Sequence, residues 1–411
     1  MQTNLAQWAR DGDLGKEAEE ILRRCVHCGF CLATCPTYQV LGDELDSPRG
    51  RIYLIKQVLE GVEPTTATQQ HLDRCLTCRN CETTCPSGVE YGALIDIGRK
   101  LVDQRVERPF AQEIKRSVLR HTLNSPLFAP AYKLGRMVRG ILPQTLKNKI
   151  PQARPAGVLP DGTRHARQVL MLAGCVQPAM MPSINAATIR VLDALGIGTQ
   201  IAAQAGCCGA INFHLDAQEA ALTQMRTNID AWLPLLDSGT VEAVVMNASG
   251  CGGMVKDYAH HLRFDPDYAP RALRLVDKVR DIAELVAPHA AQLKPMVAKL
   301  PERVTFHPPC TLQHWQNLRG LTEQLLTDLG FDLQPFADSH LCCGSAGTYS
   351  VTQPELSLAL RDRKLDALQA ASPDCIVSSN IGCITHLQSG TPTPVRHWVE
   401  VLDEAIGRAR A

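Results

Sequence analysis

The sequence predicts a mixed fold: an N-terminal α-helical part built around metal, followed by two copies of an α/β unit. Three observations predict it. Eight of the 17 cysteines form two copies of one spacing before residue 90. From about residue 165 onward, short apolar runs alternate with helix-like stretches, the rhythm of strand–helix–strand units. That second region also repeats itself, cysteine for cysteine.

The bulk properties agree with this division. A chain of 411 residues suggests two or three domains with buried cores. Hydrophobic content of 45%, charged content of 20% and a formal net charge of zero are those of an ordinary globular protein without a nucleic-acid partner. No run of about 18 uncharged apolar residues is present, so no spanning helix is expected. The start, Met1-Gln2-Thr3-Asn4, lacks a basic segment followed by an apolar one, so no secretory signal is expected. The expected location is the cytoplasm. There, so many cysteines point to metal or redox chemistry rather than disulfides.

The first cysteine run is Cys25-x2-Cys28-x2-Cys31-x3-Cys35-Pro36, and the second is Cys75-x2-Cys78-x2-Cys81-x3-Cys85-Pro86. This is the spacing of two-cluster bacterial ferredoxins, in which each run gives three thiolates to one [4Fe–4S] cluster and its fourth to the other. On that pattern Cys25, Cys28, Cys31 and Cys85 hold one cluster, and Cys75, Cys78, Cys81 and Cys35 hold the second. Pro36 and Pro86 fix the turn after each fourth cysteine. Two structural zinc sites are the alternative, but zinc needs only paired Cys-x2-Cys units and leaves the third cysteine and the Cys-Pro ending unexplained. His27, Arg79 and Asn80 lie inside the loops, placed either to donate hydrogen bonds to cluster sulfurs or to sit in solvent. Between the runs, Ile52–Leu59 reads as helix. The basic turn Ser47-Pro48-Arg49-Gly50-Arg51 before it either balances negative clusters or simply starts that helix.

Residues ~110–150 read as amphipathic helices broken by Pro126, Pro130 and Pro143. A linker with Pro151, Pro155 and Pro160 follows. Between residues 113 and 149, eight basic residues (Lys115, Arg116, Arg120, Lys133, Arg136, Arg139, Lys147, Lys149) face one acid, Glu113. Leu127, Phe128, Tyr132, Leu134, Met137, Val138, Ile141 and Leu142 are interleaved. The segment reads either as a peripheral contact to the anionic inner face of the cytoplasmic membrane or as a solvated, partner-facing arm.

The expected domains are 1–110, then this basic helical segment and linker over 111–164, then the duplicated units at 165–290 and 300–411. In the first unit Val169–Leu172 leads to Cys175, then to Leu195-Gly196 and Cys207-Cys208-Gly209. In the second, Val304–Phe306 leads to Cys310, then to Leu329-Gly330 and Cys342-Cys343-Gly344. The three cysteine offsets are all 135. Asp216-x-x-Glu219 and Thr352-x-x-Glu355 read as capping boxes. Behind the first, Leu215, Leu222, Met225, Ile229 and Trp232 share one helical face. The runs Val244–Asn247 and Ile376–Asn380 then reach Cys251 and Cys383, at an offset of 132.

Cys-x31-Cys-Cys-Gly with a further cysteine about 40 residues on resembles the CCG domain. That domain occurs in heterodisulfide reductases and in the iron–sulfur subunits of several flavin dehydrogenases. A two-cluster ferredoxin followed by two CCG domains resembles, over the whole chain, the iron–sulfur subunits of the glycolate oxidase (glycolate dehydrogenase) family. The stretches Cys25–Cys31, Arg49–Gly61, Cys75–Cys81, Ala248–Gly252, Leu341–Tyr349 and Val395–Trp398 carry the likeness. The resemblance implies an oxidoreductase's electron-transfer subunit. Its partners would be two flavin-binding subunits oxidising glycolate to glyoxylate, and a quinone or other acceptor. The iron–sulfur subunit of anaerobic glycerol-3-phosphate dehydrogenase is a similar architecture, and a heterodisulfide-reductase-like catalytic subunit is a further alternative.

The full CCG pattern ends in Cys-x2-Cys, giving five cysteines. Here Ala248 and Asn380 stand where the first of that pair would be. Each half keeps four: Cys175, Cys207, Cys208 and Cys251, and Cys310, Cys342, Cys343 and Cys383. These are candidate ligands for one or two further iron–sulfur clusters. Gly209 and Gly344 let the backbone turn into a helix, whose N-terminal amides favour an anionic cluster. Cys375 reads as a buried core thiol. His307 and His314 flank Cys310, either as donors to the cluster or as turn histidines. No Gly-x-Gly-x-x-Gly follows a strand, so no flavin and no catalytic residue is expected on this chain. Substrate oxidation belongs to a partner, and this chain supplies redox wiring.

Overall fold

The computed structural model describes residues 1–137, 140, 154–298, 300, 301 and 303–410. Val138, Arg139, Ile141, Leu142, Pro143, Lys147, Lys149 and Pro151 of the basic segment and linker lie outside the described residues. Two compact units are present: Met1–Ser117 with Asp338–Lys364, and Val118–Ala337 with Leu365–Ala411. The fold is helical at the N-terminus and α/β beyond it.

The first unit is a helical cage. Its frame is α1 (Asp13–Arg24), α2 (Pro48–Leu59), α3 (Thr66–Asp73) and α4 (Tyr91–Asp103). Helix α2 starts earlier than its apolar run because Ser47 caps it. The Ser47 Oγ accepts the Gly50 N–H at 3.0 Å and Pro48 occupies the first turn. Its buried face, Ile52, Ile55, Val58 and Leu59, meets Ile21 and Leu22 of α1 and Leu94 and Ile95 of α4 in one core. Helices α2 and α4 approach closely because Gly98 presents no side chain: a Cβ there would lie 2.5 Å from Ile55 Cγ1. The segment Asp338–Lys364 belongs to this unit. Tyr349 donates its hydroxyl to the Arg74 carbonyl at 3.0 Å, and Asn80 Nδ2 donates to the His340 carbonyl at 3.2 Å.

Helices α5 (Phe110–Leu123) and α6 (Phe128–Met137) follow. Pro126 falls between them as expected. Pro130 does not break a helix. It is the third residue of α6, where the N–H it lacks would have no intrahelical partner anyway.

The second unit carries two parallel sheets. In the first, β1 (Arg167–Met171), β2 (Ile197–Gln200), β3 (Val244–Met246) and β4 (Val279–Asp281) take the order β2-β1-β3-β4. In the second, β5 (Val304–His307), β6 (Cys375–Ser378) and β7 (Val395–His397) take the order β5-β6-β7, and Leu333 bridges Val304 where β2 stands in the first copy. The two copies therefore share strand order as well as cysteine spacing. Parallel neighbours require crossovers. Helices α7 (Pro182–Ala194) and α8 (Gln218–Asp237) supply them in the first copy. Met225, Ile229 and Trp232 of α8 are buried in its core, as their shared face predicts, together with Tyr258 and Met254. Helices α9 (Ser249–Lys256) and α10 (Ile381–Gln388) follow β3 and β6, and α11 (Trp398–Arg410) closes the chain against α7, where Arg190 pairs with Asp403 at 2.6 Å.

Neither expected capping box forms. Helix α8 is capped by Ala217, and Asp216 is in the left-handed region at φ 59°. In the second copy Pro354 opens the helix Pro354–Gln369, which moves the cap to Gln353 and leaves the Thr352 hydroxyl to bond backward to Thr348.

Candidate metal centres

Both ferredoxin-type loops have one backbone shape. Each first cysteine follows the end of a helix, α1 for Cys25 and α3 for Cys75. His27 and Gly29 in the first loop, and Thr77 and Arg79 in the second, have positive φ at matching positions. This bends each loop around its cysteines. It aims an amide at the first sulfur: the His27 N–H in one loop, and the Thr77 N–H in the other, 3.4 Å from Cys75 Sγ. Short helices Phe30–Ala33 and Asn80–Thr84 then carry each chain to Cys35 and Cys85.

The result is two neighbouring pockets. Cys25, Cys28, Cys31 and Cys85 line one, with His27, Arg49 and Tyr91. Cys75, Cys78, Cys81 and Cys35 line the other, with Thr37, Arg51, Arg79 and Tyr91. Each wall thus mixes three cysteines of one run with the fourth of the other. Cys81 reaches both pockets. None of the 17 cysteines forms a disulfide. Burial, and then neighbouring sulfurs, push the Cys31 thiol up to about 11 and Cys81 well above its usual range. Eight cysteines converge on the two pockets, four of them buried, and this donor set fits iron–sulfur clusters, which would hold the sulfurs as thiolates.

The polar groups around these pockets take places that the spacing argument left open or did not name. Asn80 is buried and holds the Thr34 and His340 carbonyls, so it neither faces solvent nor reaches a sulfur. Arg51 is 1% exposed, and Tyr91 directs its hydroxyl at Cys75 Sγ at 3.7 Å. A basic residue in a helix-start turn gives no sequence signal for burial, and neither does a tyrosine ten residues past a cysteine.

In the first α/β copy, Cys175 follows β1, Cys207-Cys208 precede a helical turn at Ala210–His214, and Cys251 lies in the first turn of α9. Their thiols form a hydrogen-bonded string: Cys175 with Cys207, Cys207 with Cys208, and Cys208 with Cys251. Bonds from Cys175, then Cys208, then the Gly209 and Ile211 amides pull Cys207 down, while Cys175 and Cys208 move up. The vicinal pair is braced from behind. The buried Asn228 donates to the Cys207 carbonyl at 2.9 Å and accepts the Gly206 N–H at 2.9 Å. Tyr258 donates to the Cys208 carbonyl at 2.9 Å.

In the second copy the same turn recurs: Gly344 has φ +84° and its N–H points at Cys342 Sγ at 3.4 Å, as Gly209 does to Cys207 at 3.5 Å. Cys342 and Cys343 belong to the first compact unit, and Cys310 and Cys383 to the second. Asn380, in the place of the missing fifth cysteine, caps α10 and donates Nδ2 to Cys383 Sγ at 3.5 Å. Ala248 holds the matching cap of α9. His307 is not a turn residue. It ends β5, buried, with Nδ1 3.1 Å from Ser378 Oγ. Cys375 is a core thiol of β6, pushed up to about 11 by burial.

Comparison with known proteins fits this arrangement. A 4Fe-4S dicluster domain model matches residues 21–89, and a cysteine-rich domain model matches 169–256 and 304–388. The glycolate oxidase iron-sulfur subunit of Escherichia coli is 52% identical over 411 residues, covering 99% of each chain. This chain belongs to the glycolate oxidase iron–sulfur subunit family. A probable glycolate oxidase iron-sulfur subunit of Bacillus subtilis is 31% identical over 94% of each chain. A lactate utilization protein A of Exiguobacterium is 26% identical over 59% of this chain and 99% of its own length. Membership of the glycolate oxidase iron–sulfur subunit family makes this an iron–sulfur electron-transfer chain and sets the zinc alternative aside. Among the described residues no helix is long and apolar enough to cross a membrane.

Proposed function

We propose that this chain is the iron–sulfur subunit of a flavin-linked complex oxidising glycolate to glyoxylate. Two flavin-bearing subunits remove two electrons and two protons from the substrate. This chain takes the electrons singly and passes them to a quinone or other acceptor. Cys25, Cys28, Cys31 and Cys85 hold one [4Fe–4S] cluster, and Cys75, Cys78, Cys81 and Cys35 the other. The cysteines Cys175, Cys207, Cys208 and Cys251, with Cys310, Cys342, Cys343 and Cys383, hold one or two more. By sequence repeat the domains are proposed as 1–110, 111–164, 165–290 and 300–411, although Asp338–Lys364 of the last packs with the first compact unit. The 52% identity across 99% of both chains carries this reading. To test it, the chain is co-expressed with its flavin partners and purified without oxygen. About 12 to 16 irons with matching sulfide, and dye reduction driven by glycolate, support it. Dye reduction driven by glycerol 3-phosphate or lactate instead would reassign the substrate.

We further propose a cytoplasmic location with peripheral contact to the anionic inner membrane face through α5 and α6. Phe110, Leu127, Leu134 and Met137 are exposed there beside Lys115, Lys133 and Arg136, whereas Arg116 is buried and takes no part. A variant with Arg136→Glu and Arg139→Glu should lose co-sedimentation with anionic vesicles. Undiminished co-sedimentation ends the idea.

A further inference from the structure

The two ferredoxin-type pockets share a backbone plan but not a polar lining. Each first cysteine has a cation on its carbonyl. The Met1 ammonium donates to the Cys25 carbonyl at 2.7 Å, and Arg99 donates to the Cys75 carbonyl at 2.7 Å. Those two groups match and cancel in a comparison. What remains differs.

The first pocket has Arg49, about one-third exposed and paired with Glu44 at 2.7 Å. Its candidate ligand Cys28 is exposed. The second pocket has Arg51, fully buried. Arg51 donates to the His71 carbonyl at 2.7 Å and to Thr37 Oγ1 at 3.2 Å, and Thr37 Oγ1 lies 3.3 Å from Cys35 Sγ. The buried acid there, Asp46, is shared with Arg74 at 2.9 Å and Arg51 at 3.3 Å. A second carboxylate, Asp43, lies within 4.8 Å of it but is exposed and screened by solvent, so the buried side of the cluster has more guanidinium than carboxylate charge. In the same pocket the Tyr91 hydroxyl donates to Cys75 Sγ at 3.7 Å. A surplus positive charge in a water-poor site, and a hydrogen bond to a ligand sulfur, each favour the reduced cluster, which carries one more negative charge.

We propose that Arg51 and Tyr91 hold the cluster of Cys75, Cys78, Cys81 and Cys35 at a higher reduction potential than its neighbour. That cluster is the electron sink of the pair, and the exposed Cys28 side is where electrons enter or leave at lower potential. The proposal rests on the ligand sets proposed above.

The test is a potentiometric titration of the anaerobic complex, followed by electron paramagnetic resonance, on the unmodified protein and the variants Arg51→Gln, Arg51→Lys and Tyr91→Phe. Cys78→Ser identifies the midpoint of the second cluster by its disappearance. The higher of the two ferredoxin midpoints is expected to be that one. Arg51→Gln should lower it until the reduced-to-oxidised ratio at fixed potential falls about tenfold, equivalent to about 59 mV for one electron. Tyr91→Phe should lower the same midpoint by a smaller ratio, Arg51→Lys should retain it, and the other midpoint should stay in place. If Arg51→Gln loses about four irons, Tyr91→Phe decides. The proposal falls if the Cys78→Ser midpoint is the lower one. It also falls if Arg51→Gln or Tyr91→Phe keeps full iron and moves neither midpoint, or moves both equally. Absence of two [4Fe–4S] signals from the unmodified complex would instead overturn the ligand assignment itself.

Discussion

His397 Nε2 lies 2.9 Å from the backbone carbonyl of Asn247, tying the end of β7 to the end of β3 and so the second α/β copy to the first. Its Nδ1 accepts the Val399 N–H at 3.2 Å, so Nε2 carries the proton and the ring is neutral. Burial lowers its pKa from 6.5 to about 4, against Glu400 and the acceptor carbonyls. The unfolded chain therefore takes up this proton first. The stability is complete above about pH 6.5 and is lost as pH falls toward 4, by ~3 kcal/mol at 1.36 kcal/mol per unit. His397→Gln keeps a donor for Asn247 and removes the titration. The difference in melting temperature between the two proteins, measured at each pH so that acid damage to clusters cancels, should narrow steadily below pH 6.5.

Asp281 titrates with the opposite consequence. It caps the helix Ile282–Val286, accepting the Ala283 N–H at 2.9 Å, while its own N–H is held by Glu284 at 2.7 Å. Burial pushes the carboxyl from 3.8 up to about 7, with the nearby Lys256 pulling the other way. The Ala283 amide and the Gln316 side chain also favour the carboxylate, but burial outweighs them. Here the folded state keeps the proton longer. Stability falls as pH rises from about 4 to 7, by ~4 kcal/mol on the same conversion, and then levels off. Asp281→Asn preserves the cap and carries its own amide donor. It should melt higher than the unmodified protein at pH 8, with the advantage shrinking as pH falls from about 7 to 4. Equal melting at both pH values would show that Asp281 is ionised in the fold.

The parts of this architecture that were legible in the sequence are those that local spacing dictates. The two cysteine runs, the strands β1, β3, β5 and β6, and the duplication all follow from residues close together along the chain. The buried arginine was not legible. Ser47-Pro48-Arg49-Gly50-Arg51 presents two arginines two positions apart. Only tertiary packing decides that Arg49 faces Glu44 at the surface and Arg51 turns inward to Asp46. The brace of Asn228 and Tyr258 behind Cys207-Cys208 spans 30 residues and has no spacing signature. The capping boxes failed for a local reason that spacing alone overlooks. Asp216 adopts the left-handed region in one copy, and Pro354 sets the helix start in the other.

The two Cys-Cys-Gly turns differ in how tightly their glycine is enclosed. A Cβ on Gly344 would sit 2.5 Å from the Ser357 carbonyl oxygen, at φ +84°, against a backbone atom already bonded within a helix. On Gly209, at φ +93°, the nearest atom would be the Ala221 carbonyl oxygen at 3.2 Å. Both substitutions to alanine incur the left-handed penalty of about 1–3 kcal/mol. Gly344→Ala adds a clash that requires the helix Pro354–Gln369 to move. It should reduce soluble yield or lower the melting temperature clearly more than Gly209→Ala. Equal losses would mean that the enclosure is not limiting.

Asn228 makes the most specific prediction about the first α/β copy. Its amide is fully buried and uses both ends on the vicinal cysteine turn: Oδ1 for the Gly206 N–H, and Nδ2 for the Cys207 carbonyl and the Tyr258 hydroxyl at 3.0 Å. Asn228→Leu is close in volume but leaves the buried Cys207 carbonyl without its donor and the more exposed Gly206 N–H without its acceptor, at a cost of about 1–3 kcal/mol. The strain falls on the turn that sets the Cys207 and Cys208 sulfurs, not on the ferredoxin-type pockets. The variant should therefore lose iron from the first α/β site while both ferredoxin-type signals persist in electron paramagnetic resonance. Tyr258→Phe removes the bond to the Cys208 carbonyl and the one accepted from Asn228, whose Nδ2 keeps the Cys207 carbonyl; it should cost about 1–3 kcal/mol with most of that iron retained. If Asn228→Leu keeps its full iron complement, either Cys175, Cys207, Cys208 and Cys251 hold no cluster or the brace does not position them. Iron analysis of Cys208→Ser then separates the two, since only a cluster-bearing site can lose iron when that thiol is removed.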